Sequence, residues 1–128
     1  MSGYSAKIMV VDDSKTMRRL QTNMLVSIGF ANVTEAEDGN VALKELEANT
    51  DIELILLDWN MPNLGGLETL KKIKAMPETK HIPVIMVTSE AEKTKVLVAV
   101  QAGVAGYVVK PFGEGALEKQ VKTVLGIQ

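Results

Sequence analysis

Three aspartates stand directly behind short apolar runs: Asp12 and Asp13 behind KIMVV (7–11), and Asp58 behind ELILL (53–57). Thr88, Ser89 and Glu90 follow IPVIMV (82–87), and Lys110 and Pro111 follow GYVV (106–109). Taken singly, each has an ordinary explanation. An aspartate after a strand starts turns and caps helices, a threonine favours strands, and a lysine favours the surface. Together they describe a site. If the apolar runs are neighbouring strands, about 4.8 Å apart, the three carboxylates converge. They then repel, burial penalises each charge further, and either some protonate or a cation sits among them. An all-oxygen set completed by water suits a hard divalent ion, magnesium better than the larger calcium, with manganese as a substitute. A carboxylate in such surroundings can form a covalent aspartyl-phosphate. The ion would neutralise the incoming oxygens, while Lys110 and Thr88 would supply charge and a hydrogen bond.

The segments between the runs must place these residues. In 14–28, Met17, Leu20, Met24, Leu25 and Ile28 recur at helical spacing, Lys15, Arg18 and Arg19 fall elsewhere, and Gly29 is a stop. Leu67, Leu70 and Ile73 repeat the pattern more briefly, and Leu117, Val121, Val124 and Leu125 close the chain with it. ANVTEA (31–36) is a weaker strand, ending near Glu35 and Glu37. Strand then helix, five times over, implies one doubly wound α/β domain with a parallel sheet covered on both faces. Ligands in such sheets bind beyond the carboxyl ends of the strands, where the charged residues stand. KVLVAV (95–100) alternates like a strand, but its neighbours need a crossover. AEKTKVLVAVQAG has a helix's length and a stop at Gly103, so a helix weakened by its valines is expected.

Composition removes other classes. The 128 residues, 46% hydrophobic, suit one domain with one sizeable core. No cysteine is present for a disulfide or thiolate site. No apolar run approaches the roughly 18 residues of a membrane span, and MSGYSAK lacks the apolar stretch of a signal peptide. A soluble, cytoplasmic protein is expected. Net charge is −2, and the basic clusters at Lys71, Lys72 and Lys74 and at Lys93 and Lys95 have acids nearby, which disfavours nucleic acid. His81 is the single histidine and reads as a loop residue. Gly113 and Gly115 lack the G-x-G-x-x-G context and read as the entry to the last helix.

VVDDS (10–14), LLDWNMP (56–62), VTSE (87–90) and GYVVKPF (106–112), in this order, resemble the response-regulator receiver domain, above all its stand-alone chemotaxis form. The resemblance spans essentially the whole chain. It implies a flavodoxin-like sheet of order 2-1-3-4-5, an order that comes from the family and not from the residues. It implies that Asp58 is phosphorylated, that Asp13, Asp58 and the Asn60 carbonyl hold magnesium, and that Asp12 helps through water. Lys110 would pair with the phosphoryl group and Thr88 would move toward it. Tyr107 would swing inward and alter the face of helix four, strand five and helix five. Asn60 and Glu90 would tune hydrolysis, and Lys110–Pro111 would be cis.

The partners implied are a chemotaxis-type histidine kinase, a flagellar motor switch protein or another protein target, and a phosphatase. The chain ends at Gln128, so residues 1–128 are expected to be a monomeric receiver without an output domain. It would signal without being an enzyme. One departure stands out: the family commonly has Asp before the glycine after MPN, where this chain has Gly65. Other readings are a non-motor relay or phosphate sink, a phosphate-independent scaffold, and a magnesium-dependent phosphohydrolase with an aspartyl nucleophile. Such enzymes resemble D-x-D-x-T, and Asn60 puts an amide where their general acid stands.

Overall fold

The computed structural model describes residues 3–127. After a 3-10 turn at Gly3–Ser5, five strands and five helices alternate along the chain. They are β1 (Lys7–Val11), α1 (Lys15–Ile28), β2 (Asn32–Ala36), α2 (Gly39–Ala48), β3 (Leu54–Leu57), α3 (Gly66–Ala75), β4 (Val84–Thr88), α4 (Lys93–Gln101), β5 (Gly106–Val109) and α5 (Glu114–Leu125). The sheet is parallel throughout, in the order β2-β1-β3-β4-β5. This is the doubly wound, flavodoxin-like fold.

Alternate side chains of one strand face opposite ways, and here each way is a core. Met9, Val11, Ile55, Leu57, Val84 and Met86 pack on one side with Leu46, Leu70, Ile73 and Ala99 from α2, α3 and α4. Ile8, Val10, Leu54, Leu56, Ile85 and Val87 pack on the other with Leu25, Leu117 and Val121 from α1 and α5. Full burial stabilises by about 1.5–3 kcal/mol for each of these valine, leucine, isoleucine and methionine side chains. Hence β3, and β4 up to Thr88, are continuously apolar. The edge strand β2 has only Ala36 buried, which accounts for its faint pattern in sequence.

Two helices depart from their apolar spacing. In α1, Leu20 is exposed and Gln21 is buried, because the Gln21 amide donates to Asp12 Oδ2 (3.4 Å). A polar anchor thus takes the core-facing place that Leu20 holds in the periodicity. The valine-rich segment is indeed helical: α4 buries only Ala99, and Leu97, Val98 and Val100 are exposed. The crossover requirement overrides β-propensity there. Gly103 ends it at φ +100°, a conformation glycine adopts without penalty.

Register places the site. Val11 pairs with Leu57, Leu57 with Met86, and Thr88 with Val109. Asp12 and Asp58 therefore sit one step past paired residues on adjacent strands, and Lys110 one step past the residue paired with Thr88.

The adjacent glycines 65 and 66 differ in kind. A β-carbon on Gly66 would lie 2.1 Å from the Asp58 carbonyl oxygen, whereas one on Gly65 would meet only the Trp59 carbonyl oxygen, at 3.6 Å. Gly65 is the N-cap of α3 and provides no side-chain capping bond. Gly66→Ala should therefore cost about 1–3 kcal/mol of unfolding free energy, and Gly65→Asp should gain a few tenths, about the difference between a Gly cap and an Asp cap. Urea denaturation of both variants checks the opposite signs.

Candidate functional site

The carboxyl edge gathers the expected residues. Asp12, Asp13 and Asp58 each present an oxygen within 4.8 Å of the others, a group able to hold a metal ion. Asp12 and Asp58 are buried and Asp13 is exposed. Lys110 Nζ lies 2.6 Å from Asp12 Oδ2 and 3.4 Å from Asp58 Oδ2. Burial drives the Asp58 carboxyl above its ordinary value, reinforced by the charge of Asp12. Lys110 and hydrogen bonds from Thr88 and the Trp59 backbone oppose that rise without cancelling it. The donor set, two buried carboxylates and one exposed, fits a hard cation open to solvent on one side.

Asp12 is held from four directions. Its carboxylate accepts from Ser14 N (2.9 Å), Gln21 Nε2 (3.4 Å) and Lys110, while Arg18 Nη1 donates to its carbonyl oxygen (2.7 Å). Arg18 also pairs with Glu35 (3.2 Å). Ser14 caps α1 through Met17 N, so the turn carrying the paired acids is locked at both ends.

Asp13 and Asn60 line a single cleft of about 680 Å³ with Trp59, Met61 and Gly65. The Asn60 side chain donates to Glu90 Oε2 (2.7 Å). Thr88 is fully buried, and its hydroxyl oxygen accepts from Glu90 N (3.3 Å). The Glu90 carbonyl in turn accepts from the Tyr107 hydroxyl (2.5 Å). Tyr107 is half-buried, and burial, then Glu90 and Asp58, push its phenol upward. Lys95 Nζ lies 5.3 Å from the centroid of the Trp59 ring and 4.0 Å from Glu90. The Lys110–Pro111 bond is cis.

The expected residues thus stand at one edge, except that Tyr107 lies within β5 and reaches it through its hydroxyl; four more join them. Arg18 and Gln21 carried no signal beyond helical spacing. Asp38 is the N-cap of α2, and no spacing in the sequence marks it as a neighbour of the site. Asn63, between β3 and α3, bonds to Asp38 through its side chain. His81 is exposed, and Gly113 is the N-cap of α5.

The model of the response regulator receiver domain family matches residues 8–122. The chain belongs to that family. This receiver is 46% identical over 120 residues to chemotaxis protein CheY1 of Helicobacter pylori, covering 94% of this chain and 97% of that one. It is 43% identical over 118 residues to chemotaxis protein CheY of Pseudomonas aeruginosa, covering 92% and 94%. Among solved structures it is similar to Vibrio cholerae chemotaxis protein CheY4, with TM-score 0.86, 32% identity and coverage of 93% and 98%. It is a CheY-like response regulator. Among the described residues, no helix of this receiver is long and apolar enough to cross a membrane.

The raised Asp58 carboxyl has a thermodynamic sign. The folded state binds that proton more tightly than the unfolded chain, so stability falls as pH rises from the ordinary 3.8 through the raised folded value. In metal-free buffer, Asp58→Asn should be more stable than the parent at neutral pH, with the advantage shrinking toward pH 3.8. Urea midpoints across that range test it; an advantage independent of pH would contradict the burial argument.

Proposed function

We propose that this receiver is a phosphorylation-controlled signalling module of a chemotaxis pathway, in which Asp58 accepts a phosphoryl group from a histidine kinase in a magnesium-dependent reaction. The placement of Lys110 between Asp12 and Asp58 carries the reading. A cation held there is poised to meet negative oxygens arriving at Asp58. Asp12, Asp13, Asp58 and the Asn60 backbone carbonyl would hold the magnesium, with manganese as a substitute. When bound, it supplies neutralising charge to the phosphoryl oxygens.

In the transfer, an Asp58 carboxylate oxygen forms the bond to phosphorus. The bond from phosphorus to the donor's leaving atom breaks, and the electron pair leaves with the donor. Lys110 exchanges part of its pairing with the carboxylates for the new phosphoryl oxygens, and the Thr88 hydroxyl turns to donate to one. The path onward is short. Thr88 bonds to the Glu90 amide and the Glu90 carbonyl holds Tyr107, so movement of Thr88 draws on the tyrosine's anchor. Tyr107 then shifts the face of α4, β5 and α5, where Leu97, Val98, Val100 and Val109 are exposed. Asn60 and Glu90, bonded to each other at 2.7 Å beside the acceptor, tune hydrolysis.

A flagellar motor switch protein is the proposed target of that face, a reading supported by the chemotaxis relatives of Helicobacter and Pseudomonas. A phosphatase would end the signal. The module, residues 1–128, works as a cytoplasmic monomer, signals without turning over a substrate of its own, and needs no nucleic acid or membrane.

Incubation with magnesium and a small acyl phosphate, followed by intact mass, tests the reading. One phosphoryl group should add to the parent and none to Asp58→Asn; addition that survives Asp58→Asn would overturn the assignment. Magnesium should change Trp59 fluorescence in the parent, since that ring lines the cleft with Asp13. Binding of a motor switch segment should rise on phosphorylation of the parent and not of Lys110→Met.

A further inference from the structure

The loop from Trp59 to Gly66 carries Asn60 and opens behind Asp58, yet little within it fixes its shape. Its own bonds are Gly66 N to the Trp59 carbonyl (2.8 Å) and Leu64 N to the Pro62 carbonyl (2.7 Å). The latter closes a tight three-residue turn on Asn63, whose φ is +67°. That is the left-handed region, which a β-carbon opposes, although asparagine enters it more readily than most residues. The cap position at Gly65 has no side chain to add a bond.

From outside, Glu90 accepts from the Asn60 side chain (2.7 Å), and further support comes from the start of α2, an element with no residue in the reacting set. Asp38 is 7% exposed and uses its two carboxylate oxygens for different tasks. Oδ1 accepts from Val41 N (2.9 Å) and caps α2, while Oδ2 accepts from Asn63 Nδ2 (2.9 Å) across the gap to the loop. These two bonds, the Val41 amide first, hold the Asp38 carboxyl below its ordinary value. Next to it, Gly39 lets the loop approach. A β-carbon there would lie 2.9 Å from the Leu64 carbonyl oxygen and 2.0 Å from Thr69 Oγ1, the hydroxyl that bonds to the Gly65 carbonyl (2.8 Å).

We propose that the Asp38–Asn63 hydrogen bond is a latch that positions the phosphoacceptor loop, so that Asp38 and Asn63 are positioning residues for the chemistry at Asp58. The inference rests on the phosphoryl-transfer reading and deepens it. A strained turn at a site persists where its surroundings over-determine it, and here the surroundings are the start of α2. The latch fixes where the Asn60 carbonyl stands relative to Asp13 and Asp58. The absence of a capping carboxylate at Gly65 leaves this chain dependent on it.

The test uses Asn63→Gly, which keeps the positive φ and deletes the bond, and Asp38→Ser, which keeps a cap for α2 but cannot reach Asn63. A third protein carries the exchange Asp38→Asn with Asn63→Asp, which restores the bond with donor and acceptor reversed. The readouts are hydrogen exchange of the amides of 60–66, magnesium affinity by Trp59 fluorescence, and the rate of phosphorylation by an acyl phosphate. Urea midpoints allow comparison at matched fraction folded. Each single variant should speed exchange in the loop. Each should also weaken magnesium and slow phosphorylation by about threefold or more, less than the roughly 10–100-fold loss of a direct partner of a metal ligand. The variant carrying both Asn63→Gly and Asp38→Ser should lose no more than the worse single one, and the exchanged pair should recover most of the loss. Magnesium affinity and rate within twofold of the parent in both single variants, or fully additive losses, would overturn the latch. A parent that gains no phosphoryl mass would instead overturn the phosphoryl reading, because loop exchange and metal affinity read the latch without it.

Discussion

Two carboxylates at the ends of adjacent buried strands cannot both carry full charge without help, and much of this molecule is arranged around that fact. Asp12 and Asp58 each follow a run of four buried apolar residues, and both are nearly inaccessible. Burial raises the proton affinity of Asp58, and Lys110 answers it from β5, two strands away from β3 in the sheet order. That opposition makes the edge favour whatever brings positive charge. The cost is offset elsewhere, by two cores of aliphatic side chains that stabilise the sheet from both faces.

The supports of the site come from all around it and are mostly not reacting groups. Arg18 and Gln21 on α1 hold Asp12 by its carbonyl and its carboxylate. Asp38 at the start of α2 holds Asn63 in the loop beyond Asp58. Glu90 ties Thr88, Asn60 and Tyr107 together through its amide, carboxylate and carbonyl. Each carries a local constraint from one element to the next. A change of charge at Asp58 therefore meets a connected set of polar bonds, the kind of contiguous network through which a local event can bias a distant surface.

Legibility followed periodicity and position. The central strands and α1 announced themselves because buried parallel strands are continuously apolar and an amphipathic helix repeats every 3.6 residues. The polar residues of the edge were legible by position, because several of them stand directly behind apolar runs and only together describe a site. The edge strand β2 and the helix α4 were faint, the first because little of it is buried, the second because only Ala99 enters the core. Leu20 and Gln21 traded places against the pattern, since a hydrogen bond to Asp12 outweighed one leucine's contact.

The sequence by itself determined the class of fold and which carboxylates stand directly behind its apolar runs, because these depend on local pattern and residue type. It also marked Gly65 as a departure. Only the tertiary structure decided which glycine of the pair is indispensable, since that turns on the Asp58 carbonyl lying 2.1 Å from where a β-carbon of Gly66 would stand. It alone brought Asp38 to Asn63, 25 residues away. A hydrogen bond across two loops depends on how two helices sit on a sheet, and no local spacing encodes that distance.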